Sequence, residues 1–253
     1  MLQPDVLAIR QFYSSPVGLE ARRALVQTVQ RLWPGAPGDI FIGIGYALPV
    51  LRQYLGNASI IGSFMPRSMG AIYWPADTAN HSILMEEMQL PLKDQSVNRV
   101  LVSHTLEHVP HLNAFLKEIW RVLVPGGRAL LLVPNRRGVW MRAGHTPLGS
   151  GTPFSISQLR HRTALANFTF VRAETILFFP PSSVRFMIKI SRTLEWLGKM
   201  FLPGNGGLIV LEVEKQIYAA IPEPVKDDAM MRYATAPIAS MRALSFFNND
   251  GRR

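Results

Sequence analysis

The stretch from Ser96 to Asn135 constrains this chain most. Arg99-Val-Leu-Val-Ser103 is a short run of apolar, β-branched character and reads as a buried strand. A polar connection, His104 to Pro110, follows it. From His111 onward Leu112, Phe115, Leu116, Ile119, Val122 and Leu123 recur at three- and four-residue steps, which gives a helix one apolar face. Pro125-Gly126-Gly127 is expected to stop that helix, because Pro cannot extend it and Gly accepts left-handed dihedrals. Ala129-Leu-Leu-Leu-Val133, closed by Pro134, is a second continuous apolar run. Two wholly apolar strands joined by an amphipathic helix make a βαβ unit in a parallel sheet covered on both faces. Ligands of such sheets bind beyond the carboxyl ends of the strands, which directs attention to Ser103–His108 and to Asn135 onward.

Upstream, Ser14-Ser15-Pro16 reads as a helix start, with Ser15 as N-cap and Pro16 in the first turn. Leu25, Val29 and Leu32 form its buried stripe, and Trp33-Pro34-Gly35 ends it. Asp39-Ile-Phe-Ile-Gly43-Ile-Gly45-Tyr46-Ala47 is a strand, a glycine turn and a helix opening near Leu48. Ala58–Phe64 reads as a second strand, and Ser82–Met85 as a third. Ser155 or Ser157 caps a helix through Leu165. Phe168–Phe179 is a further strand, and Gly206–Val213 a last one placed at the sheet edge.

The motifs Leu90-Pro91-Leu92, Ser96-Val97-Asn98, Leu106-Glu107-His108 and Arg121-Val-Leu-Val-Pro125-Gly126-Gly127 follow that first strand and its glycine turn in order. Together they resemble a class I S-adenosylmethionine-dependent methyltransferase domain of the small-molecule type, over roughly residues 38–135 and more loosely to about 215. The resemblance implies a doubly wound, mostly parallel sheet of about seven strands with helices on both faces. It also implies S-adenosylmethionine as cofactor, contacted by Gly43, Gly45, Tyr46, Phe64, Glu86, Glu87, Ser103 and His104. Leading helices cover the mouth of the site in such proteins, which brings Phe12 and Tyr13 toward it. For catalysis the candidates are His104, His145 and Tyr13, imidazole being a base that titrates near neutrality. The pattern calls for an acid two residues before the first glycine and another at the end of the second strand; this chain has Phe41 and Phe64 there. Asp39 shares a strand face with position 41 but lies about 6–7 Å further from the carboxyl end.

His104-Thr-Leu-Glu107-His108 also spells an inverted zinc-protease signature. It follows a strand directly and meets Pro110, so no metal site is expected. With no cysteine, disulfides and thiol catalysis are excluded.

Charge is uneven. Arg121–Lys199 holds twelve Lys and Arg against two acids and accounts for the whole net charge of +10. An anionic partner is one reading, a solvated basic surface another. Arg136, Arg137, Trp140, Arg142, His145 and Phe154 share one Gly/Pro-rich loop, a mix that suits a planar or anionic substrate. Residues 182–201 form a basic amphipathic helix: Met187, Ile190, Leu194, Leu197 and Phe201 on one face, Arg185, Lys189, Arg192 and Lys199 opposite, with Trp196 among them. Such a helix suits an anionic membrane surface or packing on its own domain.

The expected organisation is a helical cap over 1–36, the α/β domain over 37–221 and a tail over 222–253. The start has no basic n-region or apolar h-region, and no run approaches the ~18 apolar residues of a membrane span, so a cytoplasmic, or membrane-peripheral, protein is expected. Three functions stay open: methyl transfer to a small, anionic or aromatic molecule; a non-catalytic scaffold of methyltransferase fold; and, against the absence of an Asn-Pro-Pro-Tyr-type motif, a nucleic-acid methyltransferase.

Overall fold

The computed structural model describes residues 3–142, 146–182 and 184–216. Packing divides the chain into Met1–Ala219 and Ala220–Arg253, and every element described lies in the first unit. His145 and the tail fall outside the described residues.

Two helices lead: α1 (Val6–Ser14) and α2 (Pro16–Leu32). Asp5 caps α1 by accepting from the Leu7 N–H, and Ser15 caps α2 by accepting from Gly18, with Pro16 in the first turn as expected. The strands are β1 (Ile40–Gly45), β2 (Ile60–Pro66), β3 (Ser82–Met85), β4 (Val97–Ser103), β5 (Leu123–Pro134), β6 (Phe168–Ile176) and β7 (Leu208–Lys215). Between them lie α3 (Leu48–Leu51), α4 (Leu112–Val122), α5 (Ile156–Leu165) and α6 (Arg185–Phe201).

The seven strands form one sheet in the order β3-β2-β1-β4-β5-β7-β6. Pairs from β3 to β5 are parallel, and β7 runs antiparallel to both its neighbours. The doubly wound, mostly parallel sheet is therefore present. Its order reverses at β1/β4, the switch point beyond which ligands of such sheets bind.

Several local expectations need correction. The last strand is interior, not an edge: Leu208–Val213 is buried on both faces, and the edges fall to β3 and β6. Helix α4 ends at Val122, before Pro125-Gly126-Gly127. That triplet is instead a bulge in β5, where pairing jumps from Val97↔Leu123 to Arg99↔Arg128 and Gly126 takes φ 74°. Strand β2 runs two residues further than expected, so Phe64 pairs beside Ile44 inside the sheet rather than ending the strand.

The core has two leaves. One lies under α1–α3 and holds Phe41, Met65, Leu101 and Trp140; the other lies under α4 and α5 and holds Ile42, Ile44, Phe64, Phe115 and Ile119. Trp140, expected on a substrate loop, is fully buried, its indole N–H donating to the Phe179 carbonyl at 2.7 Å. Burial of its large ring outweighed the loop's polar surroundings.

Candidate active site at the carboxyl ends of β1 and β4

The switch point is built from the ends of β1 and β4. Gly45 leaves β1 at φ 77°, a value only glycine adopts cheaply, and a Cβ there would collide with the Ser103 carbonyl and the Thr105 hydroxyl. The Tyr46 N–H donates to the Ser103 carbonyl at 3.0 Å. A Cβ at Gly43 would lie 2.6 Å from Ala47 and Leu51. Both glycines are thus required by the close approach of their own chain, the β4 loop at Gly45 and α3 at Gly43.

Tyr13 reaches the same place from α1. Its ring stacks on Tyr46 at 5.6 Å with 5° between planes, and its hydroxyl lies 2.8 Å from His104 Nε2. The His104 ring stands edge-on to both tyrosines. Gln3 donates to the His104 carbonyl at 3.1 Å, and the Val6 N–H to the Met69 carbonyl at 2.9 Å, so the N-terminal segment is fastened across the strand ends. Tyr13, Tyr46, Ser103 and His104 are all buried. His104 holds φ 57°, a left-handed conformation that non-glycine residues adopt mainly where function or packing demands it.

Burial dominates the electrostatics. Desolvation, helped by neighbouring His108, pushes His104 down to about 3; desolvation lowers His108 to about 4. Glu107 is pushed up to about 8, also by burial, and Tyr13 is raised well above the ordinary phenol range. At neutral pH the imidazoles are uncharged and the Glu107 carboxyl is mostly protonated. His104 Nδ1, Glu107 Oε2 and both ring nitrogens of His108 lack hydrogen-bond partners among the described residues. A buried polar group left unpaired is costly, so this cluster is held against a local penalty.

Phe41 and Phe64 do not meet in the crevice. Phe41 sits between Trp33 and Tyr54, with ring centroids at 5.5 and 4.9 Å, and Phe64 belongs to the opposite leaf of the core. Asp39 pairs with Arg99 at 2.6 Å, at the far end of β1. Glu86 and Glu87 follow β3. Glu86 is exposed and pairs with Arg67 at 3.1 Å, while Glu87 accepts from the Ser68 hydroxyl at 2.7 Å. Glu107 and His108 lie in the loop after β4, and α4 opens only at Leu112. The two histidines of the zinc-like signature therefore share no helix face, and no cluster that could hold a metal occurs among the described residues.

Sequence reasoning missed a second feature. A cleft of about 520 Å³ lies between the loops after β4 and β5, with Glu107, Arg136, Gln158, His161 and Arg162 among its lining. The signal was present as the basic run Arg160-His161-Arg162, but nothing in it says which loop α5 would face.

The chain matches the family model described as a methyltransferase domain over residues 39–131. It is 32% identical over 98 residues to the demethylmenaquinone methyltransferase of Deinococcus radiodurans, an alignment covering 37% of this chain and 41% of that one. It is 46% identical over 43 residues to a ubiquinone/menaquinone biosynthesis C-methyltransferase of Bartonella quintana, covering 17% and 16%. The aligned stretch thus spans well under half the length of these relatives. Among solved structures, the fold is similar to a Thermotoga maritima S-adenosylmethionine-dependent methyltransferase described as a possible histamine N-methyltransferase (TM-score 0.57, 19% identity, covering 82% of this chain and 94% of that one). An S-adenosylmethionine-dependent methyltransferase from Archaeoglobus fulgidus gives TM-score 0.54 at 14% identity, covering 77% and 94%. The strand order and the switch-point turn are those of the fold these solved structures share, and residues 39–131 of the same sheet match the methyltransferase-domain model.

Proposed function

We propose that the chain transfers the methyl group of S-adenosylmethionine to a small molecule, with Tyr13 and His104 handling the acceptor's proton. The observation that carries this reading is the buried Tyr13–His104 contact of 2.8 Å at the switch point of the sheet. When bound, the cofactor supplies an electrophilic methyl group on a sulfonium.

The polar groups present fit it at two places. Glu86 and Glu87 are carboxylates suited to an exocyclic amine, and the partnerless His104 Nδ1 is a buried polar atom at the edge where a ligand would lie. The fit is incomplete at the end of β2, where the resemblance calls for a carboxylate toward the ribose hydroxyls and the chain runs Phe64-Met65-Pro66. A missing hydrogen bond to a charged group is worth roughly 1.5–3 kcal/mol, or one to two decades of affinity. Tyr46 and His104 are buried under α1, which carries Tyr13, so an acceptor enters when α1 shifts and is enclosed when α1 brings Tyr13 back to His104.

In the closed arrangement the imidazole is neutral and its Nε2 faces the Tyr13 hydroxyl, so His104 can accept a proton, as a base weakened by its burial. Alignment of the two reactants supplies most of the acceleration in such displacements, and the pair has only to hold and remove one proton. The quinone-methylating names of the two curated relatives make a hydroxylated aromatic ring the first acceptor to try. The Arg136/His161/Arg162 cleft favours acceptors that carry a carboxylate or phosphate.

The test is label transfer from methyl-tritiated S-adenosylmethionine to a panel of hydroxylated aromatic acids and hydroquinones. Label should reach at least one acceptor, and His104→Ala should slow transfer by about 10²–10⁴-fold. Equal rates in the variant would remove His104 from the chemistry, and an absence of label in every acceptor would remove this acceptor class.

A further inference from the structure

Helix α6 is packed through the wrong side for an amphipathic helix that serves only its own domain. Successive residues turn by about 100°, which gathers Met187, Ile190, Leu194, Leu197 and Phe201 on one apolar face. The face that docks is displaced from it. Gly198 is the close contact, its missing Cβ leaving room for the Phe178 ring. Ser191 is buried beside it and donates to its own helix and to Glu20. The Glu195 carboxylate accepts from the backbone N–H groups of Leu177 and Phe178 at 3.1 and 2.8 Å, clamping the left-handed turn at Leu177. A glycine, a serine and a glutamate anchor the helix, with Leu194 at the margin of the docked face packing on the core.

Met187, Ile190 and Leu194 are half-buried, Leu194 against the core, but much of the helix's apolar surface stays outside. Phe186 and Phe201 are each 65% exposed and Trp196 62%, with Leu197 and Met200 exposed between them. This row runs the length of a seventeen-residue helix, about 25 Å. Interleaved with it, Lys189 and Arg192 are exposed and take no ion-pair partner among the described residues, and Lys199 lies near Glu195 at 3.5 Å.

We propose that the outward face of α6 lies in the interface of an anionic lipid bilayer, rings in the headgroup–acyl boundary and cations on the headgroup charge. The mixture itself selects this occupant. A second copy meeting α6 face to face would cover Lys189 and Arg192 with no free acid on the helix to pair them, since Glu195 is engaged at Leu177 and Phe178. A polyanion without an apolar phase would leave Phe186 and Phe201 in water. An anionic membrane takes both kinds of group, and cations beside aromatic and aliphatic residues are what interfacial helices present. No described helix is long and apolar enough to cross a membrane, so the contact is peripheral at this face. The inference stands apart from methyl transfer, since α6 contributes nothing to the Tyr13–His104 pair.

The experiment is flotation of the whole chain with vesicles of phosphatidylcholine alone and of phosphatidylcholine with about a third phosphatidylglycerol. The protein should float with the anionic vesicles, remain behind with the neutral ones, and be released by salt. Lys189→Gln with Arg192→Gln should weaken binding about thirtyfold, and Phe186→Ser, Trp196→Ser and Phe201→Ser together by about tenfold or more. All five side chains are exposed, so melting temperatures should be unchanged, which separates lost binding from lost folding. Failure to float with anionic vesicles, or equal flotation with both kinds, overturns the proposal. So does a lipid-free dimer in sedimentation velocity that the triple variant dissolves, because the face would then belong to a second copy.

Discussion

Helices α1 and α6 both carry aromatic residues, and they treat them oppositely. Helix α1 turns Tyr13 into the crevice, where the ring is 4% exposed, stacked and hydrogen-bonded. Helix α6 keeps Phe186, Trp196 and Phe201 in solvent and docks through Gly198, Ser191 and Glu195. The comparison teaches that hydrophobicity alone did not decide which face is buried. At α1 a large ring found a polar partner, His104, for its hydroxyl. At α6 the surface offered by Phe178 and the Leu177 turn took a small residue and a carboxylate, and Leu194 is the apolar side chain packed on the core.

Truncation should separate the two helices most sharply. Tyr13→Ala removes a fully packed ring and is expected to cost about 3–5 kcal/mol, whereas Trp196→Ala should stay within about 0.5 kcal/mol. Urea denaturation of both variants measures this, and equal losses would erase the contrast. Next, Gly198→Val pushes branched carbon into Phe178 and should cost about 1–3 kcal/mol while leaving the Tyr13–His104 contact in place. Protease nicking confined to α6, with unchanged fluorescence from the tyrosine cluster, would be its signature.

The pH dependence of the buried cluster comes third. Glu107 binds its proton more tightly folded than unfolded, so stability falls as pH rises toward about 8. Between pH 6.5 and 8 that loss amounts to roughly 2 kcal/mol, and Glu107→Gln should abolish it. His104 and His108 act the other way: their folded values near 3 and 4 lie below the ordinary one, so stability rises as pH climbs from about 3 to 6.5. For the same reason the acid limb of kcat/KM should lie well below pH 6.5; a limb at or above 6.5 would mean that His104 is solvated when it works. Within the tyrosine–histidine cluster the smallest effect expected is Tyr13→Phe, which keeps the ring and removes one hydroxyl contact, at about 1 kcal/mol.

Much of this was legible beforehand because it rests on local pattern. The apolar runs at β4 and β5, the Ser15-Pro16 cap and the stripe on α4 each name their element without reference to the rest of the chain. Tyr13 and His104 were both read as site residues, but their meeting was not legible, because it depends on how α1 crosses strands ninety residues away. Trp140 was misplaced since its burial comes from Phe179 and Gly207, which are remote in sequence. The docking face of α6 was hidden for a related reason: periodicity shows which side is apolar, while the receiving surface decides which side is used. Gly43 and Gly45 were found for their spacing, yet what demands them is packing by α3 and the β4 loop.

The most direct test of the whole account is a calorimetric titration of the purified chain with S-adenosylhomocysteine, the demethylated cofactor. The account predicts saturable one-site heat, weakened by one to two decades for want of a carboxylate at the end of β2, and a changed affinity when Tyr13 is replaced by Ala. No heat at millimolar ligand, in the wild type and in the Tyr13→Ala chain alike, would contradict it.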